Sequence, residues 1–467
     1  MDRYDIIAIG GGAAGLVTAA GAAGLGARVA LIERGRMGGE CLWTGCIPSK
    51  ALLASARIVA TARAGARYGI DLSEPRVDFA RVMQHVHSAQ QTIAPHDSPE
   101  RFRSLGVDVV QETATFLDRE RVQAGDRLLA ARHVVIATGT RPAIPNIPGI
   151  GAVPLLTNEN VFELTELPAS LIVLGGGAVG VELAQAFALL GSQVTLLESE
   201  SQLLRTEDGE IVELLRARLQ QDGVKIHTGC KIDAIAPDAG GVRVQSSSTR
   251  FTAARLLVAA GRTANTDTLD LGAAGIAHDA NALHVDRYLR TNIKNIWGVG
   301  DVTGAPRFTH VADYQARLVI RNALFPGRTA ADYSTVPWAI YTSPELAHVG
   351  LTEKQARDQH GDNVQVWRKP FAELDRAVAD GETNGMVKVV ADKHGRILGA
   401  HILGGQASTL LGEVALAMKQ KVRLSALSSI VHAYPTYPEA IKQVADAYVR
   451  SRFTGLARRA AGWIVRR

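Results

Sequence analysis

The apolar residues near the start of the chain form a short continuous run, which is typical of a strand buried in a parallel sheet. Residues 5–9 predict such a strand, and the alanine-rich stretch that continues to about Leu25 predicts a helix. A glycine-rich turn at positions 10–15 joins the two. A second strand is predicted at residues 27–32 and ends at Glu33. Together these elements predict an α/β unit.

The turn and Glu33 match the pattern of a dinucleotide site. Gly10 permits the tight turn, Gly12 lets the backbone approach a pyrophosphate, and Gly15 allows the helix to pack closely on the strand. The N–H groups at the start of the helix then face the phosphates. Glu33 follows Gly15 by 18 residues, where a carboxylate accepts hydrogen bonds from a ribose. A single turn of this kind also occurs in unrelated α/β proteins.

The same pattern recurs in the middle of the chain. Strands are predicted at residues 171–174 and 193–197, with a helix from Glu182 onward between them. The glycines of the second turn are Gly175, Gly177 and Gly180. The second strand ends at Glu198, again 18 residues after the last glycine. Two matching copies predict two Rossmann-like domains, and Glu198 favours NAD over NADP because a carboxylate repels a 2′-phosphate.

Two cysteines lie between Glu33 and the next predicted helix. In a regular helix, Cys41 and Cys46 would be separated by ~7.5 Å of rise alone, whereas a disulfide needs Cα atoms within about 7 Å. A bonded pair therefore requires an irregular segment, for which Gly45 can supply the bend. Pro48 is tolerated only near a helix start, which places Cys46 close to a helix N-terminus and stabilises its thiolate. The alternative is two buried cysteines that never pair.

Composition is that of an ordinary globular protein, with 46% apolar and 21% charged residues, and a length of 467 residues suggests about three domains. The net charge of +5 arises at one end, since six of the 51 basic residues lie in the last 18 positions and leave 45 against 46 acidic ones. This distribution argues against nucleic-acid binding. For the basic tail we favour a solvated last helix over contact with an anionic membrane or a partner.

The start of the chain, its longest apolar stretch and its cysteine count bear on where the protein is expected to work. The start of the chain does not resemble a signal peptide, and the longest apolar stretch, residues 171–190, is interrupted by Glu182 and Gln185. With only three cysteines, a reducing cytoplasm and one working pair are expected rather than a disulfide framework. No metal site is predicted.

Further motifs give the chain a clear resemblance. The segments that carry it, beyond the two turns and the cysteine pair, are residues 136–142 with Thr138 and Gly139, residues 259–262 with Gly261, residues 296–301 with Asp301, and residues 432–439 with His432 and Glu439. In these the chain resembles the pyridine nucleotide-disulfide oxidoreductases, over nearly its whole length. The resemblance implies FAD in the first nucleotide domain and NAD in the second.

The resemblance also implies roles for individual residues. Cys46 would lie under the flavin as the charge-transfer thiol, and Cys41 would exchange with substrate. Lys50 and Glu182 would form an ion pair beside the reactive nitrogen of the flavin. Asp301 would bind the ribityl hydroxyls of the flavin. Thr138, Gly139 and Gly261 would lie at the two strand-to-loop crossings between the nucleotide domains. His432 and Glu439 would form an acid/base dyad contributed by the second subunit of a homodimer. Without the family context, a surface ion pair would be the default for that His and Glu.

The expected domain order interrupts the FAD domain with the NAD domain. The predicted boundaries are 1–145 for the first part of the FAD-binding domain, 146–264 for the NAD(P)-binding domain, 265–334 for the second part of the FAD-binding domain, and 335–467 for a C-terminal α+β dimerisation domain with the basic tail. In the last domain, strands are predicted at residues 386–390 and 397–403 and a helix at residues 410–418.

Two segments depart from the family pattern. Glu40 and the stretch Leu42-Trp43-Thr44 stand where well-known members carry Thr and an Asn-Val pair, and Pro438 stands in the dyad segment where a small polar residue is usual. The substrate side of the redox pair is therefore expected to be unusual, and Pro438 is expected to alter how Glu439 is presented.

The function expected is that of a dihydrolipoamide dehydrogenase-like enzyme acting on a small-molecule or protein-bound disulfide or dithiol. Mercuric reductase-like activity, or another NAD(P)H-dependent reduction of a disulfide or quinone, is the alternative, although the cysteine pair that mercuric reductases carry near the C-terminus is absent from the last residues here. A third possibility of another class is a flavin-binding redox sensor or partner protein.

Overall fold

The computed structural model of the chain describes residues 1–247, 249–304 and 306–453. The expected last helix in the basic tail falls largely beyond residue 453 and so lies outside the described residues. Within the described part, none of the helices has the length and apolar character needed to span a bilayer.

The strands are numbered in chain order. They are β1 (Asp2–Ile9), β2 (Val29–Ile32), β3 (Val107–Val110), β4 (Ala114–Phe116), β5 (Arg121–Ala124), β6 (Arg127–Ile136), β7 (Thr140–Pro142), β8 (Leu155–Leu156), β9 (Ser170–Leu174), β10 (Gln193–Leu197), β11 (Lys225–His227), β12 (Ala234–Asp238), β13 (Gly241–Ser246), β14 (Thr249–Ala253), β15 (Arg255–Val258), β16 (Arg262–Ala264), β17 (Ile296–Gly298), β18 (Pro337–Ile340), β19 (Glu345–Gly350), β20 (Val364–Pro370), β21 (Met386–Asp392) and β22 (Ile397–Gly404).

The helices are numbered in the same way. They are α1 (Ala13–Gly24), α2 (Gly39–Trp43), α3 (Cys46–Arg63), α4 (Phe79–Ile93), α5 (Pro99–Ser104), α6 (Ala178–Leu190), α7 (Gly209–Gln221), α8 (Thr309–Leu324), α9 (Glu353–His360), α10 (Asp375–Ala379), α11 (Ala407–Lys419), α12 (Leu424–Leu427) and α13 (Glu439–Arg452). Short 3-10 turns cover Gly65–Tyr68, Ala94–Asp97, Ile150–Ala152, Val161–Glu163, Gly300–Thr303, Gly361–Asn363 and Phe371–Glu373.

The first sheet is built from both ends of the predicted FAD-binding domain. Its strands follow the order β3-β2-β1-β6-β5-β4, and β17 pairs with the C-terminal end of β6. The strands β3, β2, β1, β6 and β17 run parallel to one another, whereas β5 joins β6 antiparallel. All four residues of β2 are buried, which explains its continuous apolar run. Strand β17 comes after the second nucleotide unit in the chain, so the first sheet is completed by residues that follow that unit.

The second nucleotide unit repeats the arrangement. Strands β11-β10-β9-β15-β8 form a five-stranded sheet that is parallel throughout, and α6 is buried along nearly its whole length. A short antiparallel ribbon of β7 and β16 connects the two nucleotide units where the chain crosses between them. The third unit is an antiparallel sheet in the order β18-β19-β22-β21-β20, with α11 and α13 packed against it around an apolar core.

The observed fold confirms the predicted class of two Rossmann-like units and an α+β C-terminal domain. Strand β10 has the predicted bounds, and β21, β22 and α11 each include the predicted residues. The helix predicted from Glu182 onward begins instead at Ala178, directly after the glycine turn. This difference arises because Gly177 is the N-cap, so the first turn of α6 already belongs to the glycine pattern.

The third glycine of each turn is fixed by a backbone contact. A Cβ atom added at Gly15 would lie 1.8 Å from the carbonyl oxygen of Gly10, and one added at Gly180 would lie 1.9 Å from that of Gly175. Neither oxygen can move without opening the turn, because the turn joins the strand directly to the helix. Gly24, at the other end of α1, has no atom within 4 Å of an added Cβ.

We predict that Gly15→Ala abolishes FAD binding and that Gly180→Ala abolishes NADH binding while FAD is retained. Both follow from the clash that opens the turn at a helix N-terminus. Flavin absorbance of the purified protein and NADH titration by fluorescence measure the two effects. Gly24→Ala is the matched control and is expected to behave as the unchanged protein. Normal FAD content in Gly15→Ala would contradict this assignment of the first turn.

Candidate active site

A cavity of about 960 Å³ runs from the first glycine turn to the two cysteines. Its wall includes Gly10 and Gly12 from the turn, Thr138 and Gly139 after β6, and Asp301 after β17. These residues are far apart in the sequence but all follow the C-terminal ends of parallel strands in the first sheet. Such an edge is where ligands bind in open α/β sheets.

Glu33 holds the first turn in place. One of its carboxylate oxygens accepts a hydrogen bond of 2.5 Å from the backbone N–H of Gly11, and the other accepts one of 2.7 Å from Gly35. Gly12 is the N-cap of α1, and no side chain caps this helix. The free N–H groups at the start of α1 are therefore directed to the cavity, where they can bind phosphate.

Two polar groups on the cavity wall lack a partner among the described residues. The hydroxyl oxygen of Thr138 and the Nε atom of Arg307 are both buried without a hydrogen bond. Asp301 lies on the same wall, and burial raises the pKa of its carboxyl. Unpaired buried donors are rare in folded proteins. The wall thus fits a ligand with hydroxyl and phosphate groups, such as the FAD implied by the sequence.

A second cavity, of about 1130 Å³, opens at the second glycine turn. Glu198 repeats the arrangement of Glu33: it accepts hydrogen bonds from the backbone N–H groups of Gly176, at 2.5 Å, and Glu200, at 2.7 Å. Gly175, Gly177 and Gly261 also line this cavity. The two nucleotide units are therefore alike in the way an acidic residue holds the turn.

The redox segment is irregular, as the spacing of the cysteines requires. Helix α2 carries Cys41 and ends at Trp43, and α3 begins at Cys46. Gly45 separates the two helices as the N-cap of α3, again without a side-chain cap. Cys46 therefore occupies the first turn of an 18-residue helix, where the backbone N–H groups favour a negative sulfur.

The two thiols have opposite electrostatic environments. A hydrogen bond from Cys41, together with Thr309 and the charge of Lys50, lowers the pKa of Cys46 to about 6 in spite of burial. The hydrogen bond to Cys46 and burial raise the pKa of Cys41. The Sγ atom of Cys46 lies 3.3 Å from the hydroxyl of Thr309. In the dithiol form, the pair thus holds one proton on Cys41 and a thiolate at Cys46.

Lys50 and Glu182 form the ion pair that the resemblance implies. Nζ of Lys50 lies 2.8 Å from Oε2 of Glu182, which is buried on α6. The other oxygen of Glu182 accepts a hydrogen bond of 2.9 Å from the backbone N–H of Tyr341, and Lys50 lies 4.5 Å from the centre of the Tyr341 ring. All three units of the chain therefore hold this pair, since Lys50 follows Cys46 on α3 and Tyr341 follows β18.

Glu40, one of the two departures from the family pattern, has partners that sequence reasoning missed. It forms an ion pair with Arg262 of the crossing ribbon and accepts a hydrogen bond of 3.0 Å from Asn158. Removal from bulk water outweighs the Arg262 guanidinium and raises the pKa of Glu40 to about 7. Asn158 also donates to the carbonyl of Thr44 within the redox segment. The ion pair thus ties the cysteine loop to the crossing between the nucleotide units.

The histidine of the predicted dyad has a different partner. Nε2 of His432 lies 3.1 Å from Oε1 of Glu413 on α11, and its Nδ1 faces the carbonyl of Ile430 at 3.2 Å. This corrects the predicted pairing with Glu439. Helix α13 begins at Glu439, directly after Pro438, and the Oε2 atom of Glu439 is buried without a hydrogen bond among the described residues. The spacing of seven residues between His432 and Glu439 could not predict the contact with Glu413, because α11 lies outside this segment.

The comparisons with known proteins agree with this architecture. The family model for the pyridine nucleotide-disulphide oxidoreductases matches residues 4–316, and that for their dimerisation domain matches residues 336–445. A mercuric reductase of Streptomyces lividans is 35% identical over 461 residues, which cover 95% of this chain and 96% of that protein. A dihydrolipoyl dehydrogenase of Bacillus subtilis is 32% identical over 466 residues, which cover 95% of this chain and 98% of that protein.

A solved structure of a flavoprotein disulfide reductase also matches nearly the whole chain. The Cu(II) complex of the HOCl-induced flavoprotein disulfide reductase RclA from Escherichia coli has a TM-score of 0.87 and 31% sequence identity to this chain. The match covers 96% of this chain and 100% of that one. The similarity therefore includes both nucleotide units and the C-terminal sheet.

We predict that Thr309→Val raises the pKa of Cys46 by about one pH unit, because it removes a hydrogen bond to a charged sulfur. In the reduced, FAD-loaded protein, thiolate-to-flavin absorbance at long wavelength should be present above about pH 6 and lost below it. Thr309→Ser keeps the hydroxyl, so the pH at which half of this absorbance is lost should not change. Cys46→Ser should lack the band at every pH. An unchanged midpoint in Thr309→Val would contradict the role of this hydroxyl.

Proposed function

This chain belongs to the pyridine nucleotide-disulphide oxidoreductases, FAD-dependent enzymes that exchange electrons between NAD(P)H and a disulfide, and from that premise we propose that it couples NADH to a small dithiol or disulfide of the dihydrolipoamide class. The observation that supports this most is the asymmetric pair of thiols at the start of α3. Cys46 has a pKa lowered to about 6, whereas that of Cys41 is raised.

The first cavity would hold FAD. The glycine turn with Gly10, Gly12 and Gly15 and the start of α1 would bind the pyrophosphate, and Thr138 and Asp301 would bind hydroxyl groups of the cofactor. Bound FAD supplies a carrier that takes two electrons from the nicotinamide and passes them to the disulfide.

The cysteines would divide the exchange between them. Reduction of the Cys41–Cys46 disulfide by two electrons, with uptake of one proton, breaks the S–S bond and leaves a thiol at Cys41 and a thiolate at Cys46. Loss of the Cys41 proton lets its sulfur attack a substrate disulfide, which releases one substrate thiolate and forms a mixed disulfide. Cys46 then attacks Cys41, reforms the internal disulfide and releases the second substrate thiolate. Each released substrate thiolate takes up a proton, one of them the proton that Cys41 lost, so the sum is NADH, a proton and a disulfide converted to NAD⁺ and a dithiol.

Lys50 and Glu182 would set the charge beside the flavin. The ion pair links α3 to α6 at a distance of 2.8 Å, and Lys50 also lowers the pKa of Cys46. Its ammonium group can stabilise negative charge on both the sulfur and the reduced cofactor. We therefore place this pair between the two redox centres.

The base that takes the Cys41 proton would come from a second copy of the chain. The match to a dimerisation domain at residues 336–445 supports a homodimer. The segment with His432 and Glu439, together with the residue before it, carries several exposed side chains, among them Val431 at 93% and Tyr434 at 69% exposure. We propose that this segment meets the redox pair of the other copy and that the imidazole of His432 is the base. To take the proton, one of its ring nitrogens would turn away from the acceptor that it faces within its own chain, the carboxylate of Glu413 or the carbonyl of Ile430.

The basis for NADH is Glu198. Its carboxylate lies at the second turn, where the ribose of the nicotinamide dinucleotide would bind, and it would repel a 2′-phosphate. Arg205 lines the same cavity. Without the negative charge of Glu198, its guanidinium could attract the 2′-phosphate of NADPH.

We predict that kcat/KM is at least about tenfold higher for NADH than for NADPH, and that Glu198→Gln narrows the difference by about tenfold. The amide oxygen of the variant can still accept the Gly176 hydrogen bond, so the turn should persist. Glu200→Gln, which changes an adjacent acidic residue of the same cavity, is the control and should leave the ratio near its original value. Equal use of both nucleotides by the unchanged protein would contradict the assignment.

A second candidate function is reduction of a thiol-binding metal ion by the dithiol. It is favoured by the similarity to mercuric reductases and to RclA, whose solved complex contains Cu(II). Two neighbouring sulfurs are suitable ligands for such ions. In this case the ion, not a disulfide, would take the electrons from the reduced pair.

NADH oxidation with a panel of acceptors separates the candidates. We predict faster turnover with lipoamide than with glutathione disulfide, a quinone, Hg(II) or Cu(II). Cys41→Ser should abolish turnover with lipoamide while reduction of the flavin by NADH continues, and Cys230→Ser should behave as the unchanged protein. Preference for a metal ion would favour the second candidate. No turnover with any acceptor would favour a redox sensor and contradict both enzymatic functions.

A further inference from the structure

A buried cluster of polar side chains lies outside the redox site, where the C-terminal sheet packs against the second nucleotide unit. Glu207 precedes α7, whereas His348 on β19 and His401 on β22 are paired directly across two antiparallel strands. His348 is 1% exposed, His401 is 0% exposed and Glu207 is 6% exposed. The centres of the two imidazole rings are 4.3 Å apart.

The hydrogen bonds of the two histidines fix their tautomers. Nε2 of His348 lies 2.9 Å from the carbonyl oxygen of Gly350, and Nε2 of His401 lies 3.1 Å from that of Leu351. A carbonyl oxygen can only accept, so both Nε2 atoms carry hydrogen. Each neutral imidazole then has a lone pair on Nδ1. Backbone carbonyls that hold the remote N–H in this way are the usual outer partners of metal-binding histidines.

Neither Nδ1 atom faces a hydrogen-bond donor among the described residues. Nδ1 of His348 lies 2.8 Å from Oε2 of Glu207, a distance that requires a proton or a cation between two acceptors. Nδ1 of His401 is buried and has no hydrogen-bond partner among the described residues. Leaving a buried acceptor unpaired is costly. One cation placed among these three groups would satisfy all of them.

The carboxylate is oriented for this purpose. Oε1 of Glu207 accepts hydrogen bonds from Nε1 of Trp338, at 2.8 Å, and from the hydroxyl of Thr206, at 3.1 Å. Its second oxygen, Oε2, therefore points to the histidines. The nearby carboxylates of Asp208, Glu210 and Glu353 are paired with other cations, namely buried Lys388, Arg357 and Arg368, so none of these cations neutralises Glu207.

We propose that Glu207, His348 and His401 form a binding site for one divalent cation of the Zn(II) class. Two imidazole nitrogens and one carboxylate oxygen are a ligand set of borderline character, which suits Zn(II) better than Mg(II) or Ca(II). The three ligand atoms lie within 4.8 Å of one another, and a small rotation of the side chains brings them to about 2.1 Å from an ion. Glu207 and His348 line the second cavity, which gives an ion access and a position for a fourth ligand.

The test is Zn(II) binding to the full-length, FAD-loaded protein. The measurement is made in a Cys41→Ser, Cys46→Ser background, because the thiols would themselves bind zinc. After treatment with a chelator, the protein is dialysed against Zn(II) and its metal content is measured. Co(II) is added in a parallel sample, since its visible absorbance reports nitrogen and oxygen ligands. We expect one Zn(II) for each chain.

Three variants in that background locate the ion. His401→Gln and Glu207→Gln should each weaken Zn(II) binding by at least tenfold, whereas His394→Gln, which changes an exposed histidine of the same domain, should have no effect. Glu207→Gln can still accept the hydrogen bond of Trp338, so it tests the negative charge without removing that contact. Thermal unfolding of each chelated variant checks that it is folded.

Absence of Zn(II) binding in the Cys41→Ser, Cys46→Ser background would overturn the proposal, and so would binding that neither His401→Gln nor Glu207→Gln weakens. Either result would make the cluster a hydrogen-bonded link between the C-terminal sheet and the second nucleotide unit, with the proton located between His348 and Glu207.

Discussion

The break in the helix between Cys41 and Cys46 is the constraint on which the rest of the site depends. Gly45 lets the chain end α2 and begin α3 within three residues, so Cys46 lies at the start of a long helix with Cys41 beside it. The helix N-terminus, the hydroxyl of Thr309 and the charge of Lys50 then all stabilise the same sulfur. A continuous helix would separate the two thiols and leave Cys46 without free N–H groups.

Other contacts hold this segment against all three units of the chain. Lys50 reaches Glu182 on α6, and Glu40 reaches Arg262 on the ribbon that crosses between the nucleotide units. Tyr341, next to the C-terminal sheet, donates its backbone N–H to Glu182. Because each ion pair joins a different element to the redox segment, the position of the thiols depends on how the nucleotide units pack. Closure of the first sheet by β17 is therefore part of the site.

The sequence predicted the elements whose signals are local. Both glycine turns, the acidic residues that follow them and the position of Cys46 near a helix start depend on residues close together in the chain. The partners of Glu40 and Cys46 were not predicted, because Arg262 and Thr309 are more than 200 positions away and are ordinary residues by type. His432 was assigned the wrong partner for the same reason: Glu413 belongs to a helix outside the motif. The Glu207, His348 and His401 cluster likewise required the register of β19 and β22.

The central claim is that Cys41 and Cys46 form a second redox centre in contact with FAD. Anaerobic titration of the purified holoprotein with dithionite, followed by absorbance, measures this directly through the number of electrons taken up. The account predicts about four electrons for each FAD, two for the flavin and two for the disulfide, with thiolate-to-flavin absorbance appearing at the halfway point. Uptake of only two electrons, with no long-wavelength absorbance at any stage, would contradict it.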